Sequence, residues 1–177
     1  QQLDMAAVEL KKIQSQFPKS TFRDRALYDL GDIARTQKKS GPAVEAFRKV
    51  VAGFGQSEVA PLAQYGIGAT LFEHGDFKAA AAELKVLTDK YAKNTIVPQG
   101  RRLRGTCLRE LKDFAGAVTE LTAYLGSKPP PTAEAALDAR FELALCQAGL
   151  KQHKQVIATL SLILKDKPGF AQKDNLL

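Results

Sequence analysis

Hydrophobic residues recur along this chain with a short period and a long one. Within segments they fall three or four residues apart, as in Ala80, Leu84 and Leu87, which places them on one face of a helix. At long range a small residue is followed four positions later by a large one, at Ala6/Leu10, Ala43/Phe47, Ala80/Leu84, Ala117/Leu121 and Val156/Leu160. The first members of these pairs are 37, 37, 37 and 39 residues apart. No segment shows the alternation of a strand, so the pattern predicts an all-α chain built from repeats.

Two further columns keep the same register. Twelve residues before the small residue stand Gly31, Gly68, Gly105 and Ala144, and twelve after it stand Pro18, Gly55, Ala92, Pro129 and Pro168. A glycine inside a helix costs about 1 kcal/mol relative to alanine, so its return at one position indicates a close approach of a second helix. Proline at the later position ends a helix. Each repeat is therefore predicted to be a pair of helices.

Polar residues between the apolar segments predict where the helices begin. Ser20, Ser57, Asn94 and Thr132 are candidate N-caps of the first helices, Asp76 and Asp113 of second helices, and Pro42 fits a first turn. The predicted helices span 2–16, 21–37, 41–54, 58–74, 77–92, 95–111, 114–126, 133–150 and 153–166, with another starting near 170–177.

The columns resemble the tetratricopeptide repeat, whose pattern is W-x2-L-G-x2-Y…A-x3-F…P. Leu30-Gly31, Ile67-Gly68 and Leu143-Ala144 match the Leu-Gly step. The resemblance implies a right-handed superhelical solenoid of antiparallel helix pairs over 1–177. Its four full repeats cover about 20–55, 57–92, 94–130 and 132–168, with a partial repeat at each end. The partial repeats predict a fragment of a longer array, with further repeats at both ends.

The sequence also departs from that pattern. It has no tryptophan, Arg104 replaces the apolar residue before Gly105, and the repeat is 37–39 residues long, against about 34 in the family. The longer repeat, with Phe17-Pro18-Lys19-Ser20, resembles a bacterial branch. That branch includes the periplasmic Tol-Pal-associated protein and the lipoprotein of outer-membrane barrel assembly. The resemblance implies the cell envelope, periplasmic or otherwise extracytoplasmic, and leaves the cytoplasm open.

Motifs that carry chemistry are missing from the sequence. His74 and His153 have no metal-binding partners at a recognisable spacing, and no phosphate-binding or nucleophile motif occurs in the right context. Cys107 and Cys146 occupy matching places in neighbouring repeats and are expected to be small buried residues. No apolar run reaches the roughly 18–20 residues of a membrane span. We therefore expect no enzyme, no cofactor and no metal site.

Charge narrows the choice of partner. The net charge of +7 favours acidic partners, although a solvated basic surface explains it equally well. The run Arg101-Arg102-Leu103-Arg104 lacks interleaved aromatic residues and a groove-reading motif, which disfavours nucleic acid. Arg101 and Arg104 fall at usually apolar positions, so we expect their stems to pack while their charged ends reach water.

The family resemblance implies a protein-interaction module with a concave groove lined by the first helices. Carried over, the partner-binding positions are Arg25, Tyr28, Arg35, Tyr65, Phe72, Arg102, Arg109 and Phe141. Arginine and aromatic residues dominate binding hot spots, so an extended or helical peptide with acidic and apolar residues is the expected ligand. Two alternatives stay open. The segment is an architectural spacer without a ligand, or Arg102 and Arg109 only pair with Glu73, Glu110 or other local carboxylates.

Overall fold

The computed structural model of this chain describes residues 2–167, and over that range it contains only helices as regular structure. They are α1 (Gln2–Gln16), α2 (Arg23–Thr36), α3 (Ser40–Gly53), α4 (Ala60–Glu73), α5 (Phe77–Lys90), α6 (Val97–Glu110), α7 (Phe114–Leu125), α8 (Ala133–Gly149) and α9 (His153–Asp166). This confirms the all-α helical-repeat fold. The helix predicted near 170–177, and Pro168, lie outside the described residues.

The chain divides into two compact units between Gly100 and Arg101, inside α6. In unit 1, α1 packs against α2, α2 against α3, α3 against α4 and α4 against α5, and α2 also contacts α4. In unit 2, α8 packs against both α7 and α9. Short turns join the helices, so consecutive helices run antiparallel. The right-handed superhelix and the repeat boundaries stay predictions.

The glycine column marks the closest helix contacts within each repeat. A Cβ added to Gly31 would lie 2.6 Å from Phe47 Cε1, and one added to Gly105 would lie 2.8 Å from Leu121 Cγ. Each glycine thus faces the large apolar residue of its own second helix, which confirms the predicted close approach.

Buried apolar side chains form a core in each unit. Phe47, Val50 and Ile67 are buried together in unit 1. In unit 2, Leu121 packs with Cys146, which is fully buried like Cys107. The expectation that both cysteines are small buried residues is confirmed. None of the helices in residues 2–167 has both the length and the apolar character needed to cross a membrane.

The predicted caps are right for the second helices and wrong for three of the first helices. Asp76 and Asp113 accept hydrogen bonds from the amides of Ala79 and Gly116, each at 3.0 Å, as N-caps do. Thr132 likewise caps α8.

Ser20, Ser57 and Asn94 do not cap α2, α4 and α6, which begin at Arg23, Ala60 and Val97, two residues later than predicted. A tight turn precedes each helix. The Asn94 side chain accepts from the amide of Ile96 at 3.0 Å, and Ser20 accepts from Phe22 at 3.2 Å. The side-chain oxygens of Ser20 and Asn94 therefore stabilise the turn before the helix, whereas the Ser57 hydroxyl is buried without a hydrogen-bond partner.

Candidate interaction surfaces

One side of α2 carries alternating charges around a tyrosine. Arg25, Tyr28, Asp32 and Arg35 fall at helical spacing on this side. The Arg25 Nε donates to the Asp29 carboxylate at 3.0 Å, and the Arg25 guanidinium carbon lies 5.6 Å from the centre of the Tyr28 ring. We call Arg25, Tyr28, Arg35, Tyr65 and Phe72 the first-helix face of unit 1.

Arg35 joins the first helices of two successive repeats. Its Nη1 lies 3.0 Å from Glu73 Oε1 on α4, and its Nη2 lies 3.2 Å from Asp32 on its own helix. Burial alone would lower the pKa of Arg35, but Glu73 and Asp32 raise it above its ordinary value. Tyr65 makes a smaller contribution that also raises the pKa of Arg35.

The three aromatic residues of the first-helix face of unit 1 are half-buried. The Tyr28 ring centre lies 5.6 Å from that of Phe47, and burial is the main cause that raises the pKa of Tyr28. Its hydroxyl therefore stays protonated at neutral pH. Phe72 packs against Phe77 at the start of α5, with ring centres 5.5 Å apart. Tyr28 thus lies between Arg25 and Phe47, whereas Phe72 sits at the turn between α4 and α5.

Unit 2 repeats this design with different residues. Arg102 Nη2 on α6 lies 3.4 Å from Asp138 Oδ2 on α8, and the Thr106 hydroxyl donates to Glu142 at 2.8 Å. Phe141 lies between these two acidic residues in the sequence and is half-buried. Arg109 pairs with its neighbour Glu110 at 2.6 Å. Arg102, Arg109 and Phe141 form the first-helix face of unit 2.

The four predicted arginines are all paired with carboxylates of their own chain. Arg109 pairs with Glu110, as one alternative expected, whereas Glu73 pairs with Arg35 rather than with Arg102 or Arg109. Glu73 and Glu110 are among the acidic partners named from the sequence, but Asp29, Asp32 and Asp138 are not. The signal for the pairs between repeats was an opposite charge one repeat later, since Arg35/Glu73 and Arg102/Asp138 are 38 and 36 residues apart.

The expectation that the Arg101 and Arg104 charges reach water holds only in part, because their side chains are 33% and 19% exposed. Both guanidinium groups pair with Glu120, whose side chain is only 8% exposed. Arg101 Nη1 lies 3.0 Å from Glu120 Oε2, and Arg104 Nη1 contacts Oε1. A carboxylate on the facing helix replaces water because a buried charge requires a charged partner.

The described residues 2–167 contain no candidate metal-binding cluster. No group of three or more His, Cys, Asp or Glu side chains in this range could hold a metal ion. His74 and His153 are exposed. Burial raises the pKa of the Cys107 thiol to about 11 and also raises that of Cys146, so neither is an activated nucleophile at neutral pH.

Known proteins with this arrangement are helical-repeat proteins. A crystal structure of MamA matches with a TM-score of 0.76 at 19% identity, covering 99% of this chain and 88% of MamA. YrrB, a tetratricopeptide-repeat protein described as having an unusual peptide-binding site, matches with a TM-score of 0.73 at 16% identity, covering 96% of this chain and 80% of YrrB. A tetratricopeptide-repeat protein from Parabacteroides merdae matches with a TM-score of 0.73 at 17% identity, covering 94% of this chain and 60% of that one.

Comparison at the sequence level also indicates tetratricopeptide repeats, but over fewer residues than the structural matches cover. Comparison with curated proteins gives no significant match. The resemblance to the longer-repeat bacterial branch is not tested by these matches and stays a prediction. Residues 28–95 match the family model described as tetratricopeptide repeat. Residues 28–95 therefore carry tetratricopeptide-repeat sequence, and the described helices share their fold with solved tetratricopeptide-repeat proteins.

Proposed function

We propose that this chain is a protein-interaction module whose first-helix faces bind an extended or helical peptide with acidic and apolar residues. One observation carries the proposal. Tyr28, Tyr65 and Phe141 occupy the same position in three repeats and remain half-buried instead of joining the core fully. Aromatic side chains left partly open beside arginine are typical of binding hot spots.

The existing ion pairs are compatible with ligand exchange. Arg25 is paired on a surface where its side chain is 60% exposed, and Asp138, the partner of Arg102, is 56% exposed. Exposed ion pairs of this kind contribute about 0–1 kcal/mol. A peptide carboxylate that binds an arginine with two parallel hydrogen bonds can therefore replace the chain's own carboxylate at little cost. The peptide-binding site named for YrrB supports the same class of ligand.

The test uses a peptide display library of random sequences selected on the immobilised chain. We expect enrichment of peptides with acidic and apolar residues. Against a selected peptide, Arg102→Glu with Arg109→Glu should weaken binding at least about tenfold, equivalent to about 1.4 kcal/mol, and flatten its salt dependence. Lys154→Glu with Lys165→Glu is the matched control, because it makes the same charge change on exposed residues of α9.

An architectural spacer is the second candidate. The observation that favours it is the pairing of all four arginines with local carboxylates, which leaves the first-helix faces charge-balanced without a ligand. A library that yields no enriched peptide, or a selected peptide whose affinity the arginine variant leaves unchanged, would favour the spacer or a different surface. Neither the interaction module nor the spacer requires a catalytic reaction.

A further inference from the structure

Unit 1 contains an apolar groove on the side of α2 that faces away from Arg25, Tyr28 and Arg35. The groove has a volume of about 1100 Å³, and its walls are α1 and α3. Both walls pack against α2 but not against each other. Its floor includes Leu27, Leu30 and Ile33 of α2, which are all half-buried. A trough with an apolar floor, and with charged residues of both signs such as Asp4, Glu45 and Lys49 along its walls, is thus left uncovered by residues 2–167.

The corresponding cleft one repeat later is smaller, about 590 Å³, and polar contacts cross it. There α3 and α5 flank α4, and Arg48 Nη2 lies 3.1 Å from Glu83 Oε1 across the cleft. On the floor of this cleft, the Gln64 side-chain amide of α4 donates to Glu83 Oε2 at 2.9 Å. Glu83 therefore bridges all three helices.

The three residues that make these polar contacts, Arg48, Glu83 and Gln64, have different counterparts in the groove. Thirty-seven positions earlier, Lys11 stands for the arginine, Ala46 for the glutamate and Leu27 for the glutamine. A methyl group at Ala46 cannot accept a hydrogen bond from either side. The groove is therefore larger than its counterpart one repeat later, because its sequence lacks the bridging residues and has apolar residues at two of their three positions.

One end of the groove carries positive charge. Lys11 and Arg23 both line it, and neither pairs with a carboxylate anywhere in the described part of the chain. Arg23 stacks over Phe54 at 5.7 Å, donates to the Pro18 carbonyl at 3.0 Å, and keeps its Nε buried without a hydrogen-bond partner. The groove combines an apolar floor with cations that are free to bind an acidic group.

We propose that this groove binds an amphipathic helix of a partner protein, with an apolar stripe on the floor and an acidic residue beside Lys11 and Arg23. The 14 residues of α2 give a floor about 21 Å long, which matches about four turns of a helix. A helix placed between two helices buries a stripe at i, i+3, i+4 and i+7. The site is separate from the first-helix faces and goes beyond the proposed function.

A pair of designed peptides tests this proposal by fluorescence anisotropy. Each is a labelled helix of about 14 residues with leucine at i, i+3, i+4 and i+7 positions, and they differ only by glutamate or lysine in one terminal turn. We expect the glutamate peptide to bind at least tenfold more tightly than the lysine peptide. Ala46→Glu, which restores the bridging residue and lets it pair with Lys11, should weaken binding at least tenfold.

The control is Ala82→Glu, the same change at an exposed position of α5, which should leave affinity unchanged. Ala46→Glu should fold normally, because Glu83 and Glu120 stand at the equivalent place in later repeats; circular dichroism checks this. Equal affinity for both peptides, or equal effects of the two alanine variants, would overturn the proposal.

Two other outcomes would assign the groove or the peptide differently. Sedimentation that shows a dimer of the wild-type chain, lost in Ala46→Glu, would make a second copy of the chain the occupant. Loss of peptide binding in Arg102→Glu with Arg109→Glu, but not in Ala46→Glu, would place the peptide on a first-helix face. That result would overturn this proposal while it supports the proposed function.

Discussion

Gly68 and Leu84 meet where the two helices of the second repeat cross. A Cβ added to Gly68 would lie 2.6 Å from Leu84 Cγ, well inside van der Waals contact, and Leu84 itself is fully buried. The absence of a side chain on α4 therefore sets the distance between α4 and α5. The same relationship holds for Gly31 with Phe47.

Gly68→Leu should destabilise the chain by about 1–3 kcal/mol or more, because the added side chain overpacks the contact with Leu84. Urea unfolding followed by circular dichroism measures the change. Glu73→Leu is the control on the same helix. It removes only an ion pair with Arg35 in which the Glu73 side chain is 53% exposed, so it should cost less than about 1 kcal/mol. Equal costs for the two variants would contradict the assignment of helix faces.

Glu120→Gln should be the most destabilising of the acidic substitutions in this chain. It removes the charge that neutralises both Arg101 and Arg104. Breaking a buried pair costs about 3–5 kcal/mol, and the 33% exposure of the Arg101 side chain places the expected loss near the lower end.

Glu83→Gln is the matched control for that variant, at the equivalent place one repeat earlier. The Glu83 side chain is 24% exposed and its partner Arg48 is 62% exposed, so the expected loss is about 1 kcal/mol or less. If urea unfolding gave the same loss for both, the pair around Glu120 would be as weakly coupled as a surface pair.

Lys112→Gly should stabilise the chain by about 0.5–1 kcal/mol. Lys112 has a φ of 61°, in the left-handed region that favours glycine, and Gly75 occupies the same place one repeat earlier with a φ of 83°. Glycine removes the steric cost of the left-handed conformation in the folded state, which raises the free energy of unfolding. Part of this gain is lost because glycine also makes the unfolded chain more flexible. Lys112→Ala removes the same charge but keeps a Cβ, so thermal unfolding should show no gain for it.

Stability should fall between about pH 9 and 11 through the Cys107 thiol. Burial raises its pKa from 9.0 to about 11, so in this window the folded state holds a proton that the unfolded state loses. Each proton held preferentially by the folded state makes stability fall as pH rises, by up to about 2–3 kcal/mol in total here.

The measurement for Cys107 compares urea unfolding at pH 8 and at higher pH in the wild type and in Cys107→Ala. The variant should show a shallower decline of stability with pH. The Cys146 thiol is also buried with a raised pKa, so Cys146→Ala reports whether a second thiol contributes. Identical pH profiles for the wild type and Cys107→Ala would contradict the buried-thiol account.

The helices and their closest contacts could be predicted from the sequence because the repeat places the same residue types at the same positions. The recurring glycines predicted tight helix crossings, although they did not identify the residue that each one faces. They are Gly31, Gly68 and Gly105. Asp76 and Asp113 gave correct helix starts, since an acidic N-cap acts within its own turn. The caps predicted at Ser20 and Asn94 were wrong because a short polar side chain can accept a hydrogen bond within a turn as well as at a helix start.

The side-chain partners could not be read from the repeat in the same way. Arg104 meets Glu120 across a helix crossing, and Arg101 reaches the same carboxylate, which periodicity alone does not specify. The groove beside Leu30 was also missed. Its openness depends on what Ala46 replaces, and that becomes visible only once the contacts of Glu83 are known.

Chemical-shift mapping of the isotope-labelled chain with a library-selected peptide tests the interaction role most directly. We predict that the largest amide and side-chain shifts cluster on the first-helix face of at least one unit, around Tyr28, Arg35 and Tyr65 or around Arg102 and Phe141. Shifts confined to other surfaces, with these residues unperturbed at saturating peptide, would contradict binding through the first-helix faces.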